Sequence, residues 1–497
     1  MTDLTISNVA GLPDKEQKQL HELLNVYNSH YAKNHIKDRY YEGNISLHEV
    51  NLGIALPQGM RGLEIGCAWG AKTVDVLASR SMFDGFVGAN GNDLDVLRKI
   101  CAYNNLTAEY IKACRDELKY GCTFATLSGE EKGGCRIRFH SPKSAAALWD
   151  GEKGRIGCGF AIIDSAPDEL YKDTWSPSLI NLYTDDAIWA ISRKDKSSEW
   201  RAVRHPHRMG RPMMEPFIWN STSDKPFGRS RIKEPVRRLI QGYVRTIANA
   251  TIGLEFATAP QKYLLGVTDE QYNALVSQKF KQYVGNILAS TTNPETGEKP
   301  TFGQLQQGNI SPHVEMLRVL ATQFSAATGL TVTDTGVVND ANPTSSDAIL
   351  AQSQTLVTMA EQLNASNAIA LKNIALMATA IVKKTTVENL ADNEKDVMAH
   401  FKNPAMPSVA STADAAIKIA SAREYFAQTD IFLEMVGFDQ ADIRRIKAQE
   451  TRNRGLSILE ELENGEDTAE GMGELHSEAE AGEQYGGSEN DGVSVGA

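Results

Sequence analysis

Two helical runs separated by a compact insertion limit the folds open to this chain more than any other feature. From Ile232 to about Thr258, apolar residues recur at helical spacing: Val236, Leu239, Ile240, Tyr243, Ile247, Ile252, Leu254 and Phe256. Pro260 ends the run, because the residue before a proline is pushed away from helical dihedrals. About fifty residues later the second run opens at Ser311-Pro312, a favoured cap residue followed by proline in the first turn. It passes Val314, Leu317, Leu320 and Phe324 before stopping at Gly329. The insertion, at about 259 to 310, is expected to hold a helix near Asp269 to Phe280. The turn-rich stretch Asn293-Pro294-Glu295-Thr296-Gly297 comes after it.

Beyond the second run, Thr331 to Asn342 is polar and β-branched and reads as a loop. Asn342-Pro343-Thr344-Ser345-Ser346-Asp347 then caps a long helix, with hydroxyls accepting from free N–H groups and an aspartate at the positive end. That helix is expected to reach about Lys384, roughly 60 Å at 1.5 Å per residue. Its apolar part, Ala368 to Val382, is interrupted by Lys372 and Asn373. It falls short of the about 20 apolar residues a membrane span needs, so a buried helix is expected. The stretch from 386 to 455 also reads as helical, with Ser411 as an N-cap and Asp414 at the third helical position.

The first half of the chain mixes element types. A helix is expected at 13 to 32, from Pro13-Asp14 through Leu20, Leu23, Leu24 and Tyr27, followed by a turn with an aromatic anchor at Tyr40-Tyr41-Glu42-Gly43. Helices follow at 69 to 80, about Leu94 to Tyr103 and about Thr107 to Tyr120. Short strands then alternate with turns as far as Phe217, among them Phe124–Leu127, Arg136–Phe139, Phe160–Ile163 and Ile188–Ile191. Trp149, Trp189, Trp200 and Trp219 read as packing residues rather than platforms for stacked bases. A length of 497 residues is compatible with about three domains.

Charge is unevenly placed. After Gly455 there are twelve acidic residues, Glu460 through Asp491, and no Lys or Arg. Removing those twelve from the 63 acidic residues leaves 51, equal to Lys plus Arg, so the body is formally neutral and the tail holds the whole excess of −12. A Gly/Glu/Ser-rich, aromatic-poor tail is expected to be disordered. A neutral body argues against tight non-specific DNA binding, which needs clustered cations to displace counterions from phosphates. The six cysteines lie in the first third without a C-x-x-C pair, and Met1-Thr2-Asp3-Leu4 shows no secretory pattern. Reduced, mostly buried thiols in a cytoplasmic setting are expected.

No phrase offers convincing bond-making chemistry. Leu63-Glu64-Ile65-Gly66-Cys67-Ala68-Trp69-Gly70 resembles the acidic, glycine-rich loop with which Rossmann-like methyltransferases hold S-adenosylmethionine, and it supplies the alternative reading. Ala68 replaces the middle glycine, Trp69 crowds the place where backbone should lie open, and no β-α alternation follows. His205-Pro206-His207 has no third metal ligand in view, and Asp93-Leu94-Asp95 lacks the rhythm of a calcium loop. No G-x-x-x-x-G-K-[ST] and no G-x-S-x-G occurs.

What remains is an ordered series of short phrases. Tyr40-Tyr41-Glu42-Gly43 is followed by Trp69, Val74-Asp75, Arg80 and Gly85-Phe86, then by Pro226-Phe227-Gly228-Arg229-Ser230. Next come Ala259-Pro260-Gln261 with Leu265-Gly266, Asn342-Pro343-Thr344-Ser345-Ser346, and Ser411-Thr412-Ala413-Asp414-Ala415. In that order, from about residue 13 to about 455, the chain resembles the portal proteins of long-tailed, siphovirus-type bacteriophages. These are ring-forming subunits at the capsid vertex through which DNA enters and leaves.

The resemblance implies an α+β, predominantly helical fold in the portal arrangement. An arm and wing would occupy 1–230, the first stem helix 231–258, the clip 259–310 and the second stem helix 311–330. A tunnel loop at 331–343, a long wing helix at 344–385, a helical crown at 386–455 and the disordered acidic tail at 456–497 would complete it. It implies no enzyme activity, no cofactor and no metal. Copies would close into a homo-oligomeric ring, usually a dodecamer, through head-to-tail contacts.

The implied partners are double-stranded DNA read without sequence preference, the terminase large subunit, a head-tail connector, and the major capsid and scaffolding proteins. The implied place is the virion vertex, and the host cytoplasm during assembly, with no membrane. The tunnel loop would carry Thr331, Thr333, Asp334, Thr335, Val337, Asn339 and Asp340. Its aspartates, with no basic side chain, suit a low-friction lining that keeps DNA centred by repulsion. Clip docking would fall to Asp269, Glu270, Lys279, Lys281, Glu295, Glu298 and Lys299.

Overall fold

Helix α1 (Asp14–Glu42) continues well past the end near residue 32 that periodicity predicts. No Gly or Pro interrupts residues 29–42, so it stops only at Gly43, whose φ of 75° gives a left-handed cap. Tyr40-Tyr41-Glu42-Gly43 is therefore the last turn and cap of α1 rather than a separate turn, and Tyr40 is buried. The computed structural model describes residues 4–45, 65–88, 94–130, 133–167, 175–195, 198–258, 262–266, 270, 297, 299, 301–304, 309–337, 346–405 and 409–465. They fall into two units, Met1–Met406 and Pro407–Ala497.

In the first unit α1 lays Leu20, Leu23, Leu24 and Tyr27 against Phe160, Ile180, Leu182 and Trp200. These belong to a six-stranded sheet ordered Val9–Ala10, Trp200–Pro206, Ala187–Ser192, Trp175–Tyr183, Arg155–Pro167, Ala145–Asp150. All its pairings are antiparallel except that of Val9–Ala10 with Trp200–Pro206. A second sheet places Cys122–Gly129 between Met214–Ile218 and Cys135–His140. Each strand named from the sequence lies inside one of these. Trp189, Trp200 and Trp219 are buried, and Trp149 packs edge-on to Phe227, as expected of packing residues. Helices α2 (Trp69–Ala78), α3 (Asp95–Asn104) and α4 (Leu106–Tyr120) pack in the larger core around Val74, Leu77, Ile100, Tyr110 and Leu118.

Helices α5 (Glu234–Thr258) and α6 (Ser311–Thr328) form and pack together, with Gly242 letting α5 approach Leu320 of α6. Ser311 is the first helical residue and not the cap, because Asn309 Oδ1 accepts its N–H at 2.9 Å. The insertion opens and closes as an antiparallel pair, Lys262–Leu265 with Thr301–Gln304, which periodicity missed because each strand has four residues. The helix predicted near 269–280 and the turn at 293–297 lie outside the described residues, apart from Glu270 and Gly297.

Helix α7 (Ser346–Val382) has 37 residues, about 55 Å. Its apolar run, Ala351–Val382, is longer than the sequence reading allowed and would by length and composition cross a membrane. Instead Leu363, Asn367, Leu371, Ile374 and Ala378 line one face and are fully buried in protein. After α8 (Asp392–Lys395), Val397–Phe401 is a strand paired with Phe83–Gly88. Residues 386–401 therefore belong to the first unit and are not all helical, which corrects the expectation for 386–455.

The second unit holds α9 (Val409–Ala422), a 3₁₀ turn at Glu424–Gln428, α10 (Asp430–Val436) and α11 (Gln440–Gly465). Ser411 lies inside α9 instead of capping it, and Asp414 pairs with Lys418 at 2.7 Å. Helix α11 continues into residues 456–465, so the expected disordered tail does not begin at 456. Helical spacing carries on there through Leu456 and Leu459 until the first glycine after it, Gly465.

Candidate functional site

Trp69 is one of the side chains that join the two helices bracketing the insertion to the rest of the first unit. Trp69 opens α2, and its indole lies 4.6 Å from the ring of Tyr243 on α5 and 4.6 Å from that of Phe324 on α6. Its Nε1 donates to the carbonyl of Thr335 at 3.0 Å. A buried indole needs such an acceptor, and here the acceptor belongs to the loop that follows α6. Beside it, a Cβ on Gly70 would stand 1.9 Å from the Tyr40 carbonyl oxygen, so α2 meets α1 backbone to backbone. The glycine singled out by the methyltransferase reading thus serves helix crossing. Among the described residues Ile65–Gly66 pairs with Asn44–Ile45, antiparallel, and with no parallel strand.

A second fastening comes from the phrase that begins at Pro226. Ser230 Oγ donates to the carbonyl of Lys119, and the N–H of Arg231 donates to that of Leu118 at 2.9 Å. The buried Arg231 guanidinium donates to Thr73 of α2 at 2.6 Å and to Thr328, the last residue of α6, at 2.7 Å. The carbonyls at a helix C-terminus have no partner within the helix, and a cation there also opposes the dipole. Burial lowers the Arg231 pKa to about 10, so it stays charged at neutral pH. Gly228 is required, with φ 68° and an added Cβ 2.1 Å from the Trp219 carbonyl oxygen.

The loop after α6 is tied down over its first half. The Asp334 carboxylate accepts from Thr331 N at 3.0 Å and Thr331 Oγ1 at 2.8 Å, closing a 3₁₀ turn at Thr333–Thr335. Thr333 is exposed, Thr335 is buried and Val337 packs on the core. Asn339 and Asp340 lie outside the described residues. Among the docking residues expected in the insertion, Glu270 and Lys299 are exposed, while Asp269, Lys279, Lys281, Glu295 and Glu298 also lie outside them.

Sequence reasoning missed a buried polar chain beneath α7. Ser81 Oγ shares a 2.7 Å hydrogen bond with Tyr110 and donates to Asn364 at 2.6 Å. Asn367 donates to Tyr110 at 2.9 Å and to Glu117 Oε2 at 2.8 Å. Burial pushes the Glu117 carboxyl up to about 8, so it is largely protonated at neutral pH. The available signal was a glutamate on the apolar stripe of α4, two turns beyond Tyr110, one turn beyond Cys114 and next to Leu118.

Elsewhere His207 donates its N–H to the Asp186 carbonyl, and Arg204 pairs with the Asp186 carboxylate at 2.6 Å. Among the described residues, no three His, Cys, Asp or Glu gather as metal ligands. The six cysteines are free thiols, five of them buried.

The family model for phage portal proteins of the SPP1 Gp6-like kind matches residues 12–455. The chain belongs to that portal family. A portal protein acts at the capsid vertex of the virion, and the family is structural rather than enzymatic. Among solved structures, the chain is similar to one in the neck of a native GTA particle computed with C12 symmetry. The TM-score is 0.42 at 13% identity, over 74% of this chain and 89% of that one. It is also similar to a chain in the neck of an empty GTA particle computed with C6 symmetry, with a TM-score of 0.43 at 12% identity, over 76% and 89%. No curated protein matches the chain. For a portal subunit, the joint at Trp69 and Arg231 ties the start of α5 and the end of α6 to the main body.

Proposed function

We propose that copies of this chain join head-to-tail into a closed, twelvefold ring whose bore passes double-stranded DNA during packaging and ejection. In this reading α5 and α6 are the stem, residues 259–310 the clip, 331–343 the tunnel loop, α7 the long wing helix and the second unit the crown. The clip meets the terminase large subunit while the head fills and the head-tail connector afterwards. Capsid and scaffolding proteins meet the ring in the host cytoplasm as it is built.

The observation that carries the reading is the pair α5 and α6, which leave the core together at Trp69 and hold the insertion between them. Val314, Met316 and Val319 on α6 are exposed apolar side chains, a surface suited to a neighbouring copy. Asp334 is engaged in the turn that opens the tunnel loop, so the reading assigns the repulsive role toward DNA to Asp340. Asp340→Lys is expected to slow DNA passage or leave heads partly filled, since each copy in the ring repeats the change. Normal filling by Asp340→Lys particles would contradict the loop's role.

A further inference from the structure

A cleft of about 980 Å³ lies between α1, the strand Ala145–Asp150 and the segment that leads into α5. Its rim carries Lys33, Lys37, Lys225, Arg229, Lys233 and Arg237, and its floor is apolar, including Tyr27, Phe124 and Phe227. The only carboxylate among the described lining residues, Glu234, is engaged by Arg238 at 3.0 Å. Arg229 has Asp224 at 3.9 Å. Among the described residues Lys37 donates to neutral acceptors, Asn34 Oδ1 at 3.1 Å and the Tyr120 carbonyl at 2.9 Å. Arg237 Nε is buried with no acceptor among the described residues. Six cations thus converge on an apolar floor with little to balance them, in a chain whose body is neutral overall. Such a site lacks anionic groups that alternate with an apolar side chain.

Residues 466–497 have that composition. They hold nine Asp and Glu, no Lys or Arg, and a few apolar side chains, Met472, Leu475 and Tyr485 among them. A DNA duplex presents its charge on outer phosphates and has no side chain for the floor. We propose that the cleft is a docking site for an acidic peptide, and that its occupant is the segment 466–497 of a second copy of this chain. The inference rests on the ring reading, because the second copy is a ring neighbour. The contact would add an electrostatic clasp between copies, weakened by salt.

The test uses full-length rings assembled from two isotopically distinct copies, with a photo-activated cross-linking residue at Tyr485 in one of them. Cross-links from that position to the cleft of the other isotope are expected. They should fall about tenfold with Lys33→Glu/Lys233→Glu, two exposed positions where charge reversal is expected to leave the melting temperature unchanged. Cross-links that land elsewhere, that stay within one copy, or that ignore the reversals overturn the proposal. So does a cleft that takes a DNA duplex in a charge-dependent way while the segment leaves no cross-link. Negative-stain images of the same samples separate the two claims. Rings without cleft cross-links sink only this inference, whereas the absence of rings sinks the ring reading itself.

Discussion

The joint around Trp69 and the helices of the second unit solve opposite problems with similar residues. At the joint Trp69, Phe324 and Arg231 are buried and their donors find acceptors: Trp69 on the Thr335 carbonyl, Arg231 on those of Thr73 and Thr328 and on Met359 Sδ. In the second unit Ile417 is 61% exposed, Tyr425 79% and Ile431 60%, while only Ala416 and Ile443 are buried among its described apolar residues. The first arrangement is complete within one copy. The second has apolar area to spare, as a subunit surface awaiting neighbours does. Stability of the single chain should therefore depend on the joint, and association should depend on surfaces such as that of the second unit.

The comparison breaks first at Trp69. Trp69→Ala removes the side chain shared by α2, α5, α6 and the following turn, and should cost about 3–5 kcal/mol. A thermal melt little changed from the parent would show that the joint is not what holds these elements. Arg231→Ala leaves two carbonyls without their donor and should cost about 1–3 kcal/mol in the same measurement. Arg231→Lys should not restore it, because an ammonium lacks the planar fork that reaches both carbonyls.

Glu117→Gln sharpens the contrast through pH. The folded pKa of about 8 lies above the ordinary 4.5, so protonation favours the folded state. That contribution is complete below about 4.5 and is lost as pH rises toward about 8. Glutamine stays neutral, so the variant should flatten the fall in melting temperature over that window. An unchanged slope would mean that Glu117 is not the group responsible. The smallest effect is expected at Tyr425→Ser, within about 0.5 kcal/mol for the single chain. A large drop in stability there would erase the distinction between the two regions.

Elements with long, uninterrupted periodicity were legible in the sequence, and elements fixed by distant partners were not. The paired helices were legible because Pro260 and Pro312 mark their inner ends, and α7 because its capping phrase and apolar spacing agree. The end of α1 was misplaced because polar residues after Tyr31 hide a helix that later buries Asn34 and Tyr40. The strand Val397–Phe401 is specified by its partner Phe83–Gly88, more than 300 residues away in sequence. Phrases that carried the family resemblance have packing reasons: Gly43 caps a helix, Trp69 packs against Tyr243 and Phe324, and Gly228 permits a turn. At the candidate site, the sequence placed Asp334 in the loop but could not show that Thr331 holds its carboxylate.

Direct imaging of the purified full-length protein tests the central claim. Negative-stain class averages viewed down the symmetry axis should show closed rings with an open centre wide enough for a DNA duplex, with about twelve repeats around the rim. Solid, compact particles with no central opening across salt and protein concentrations would contradict it.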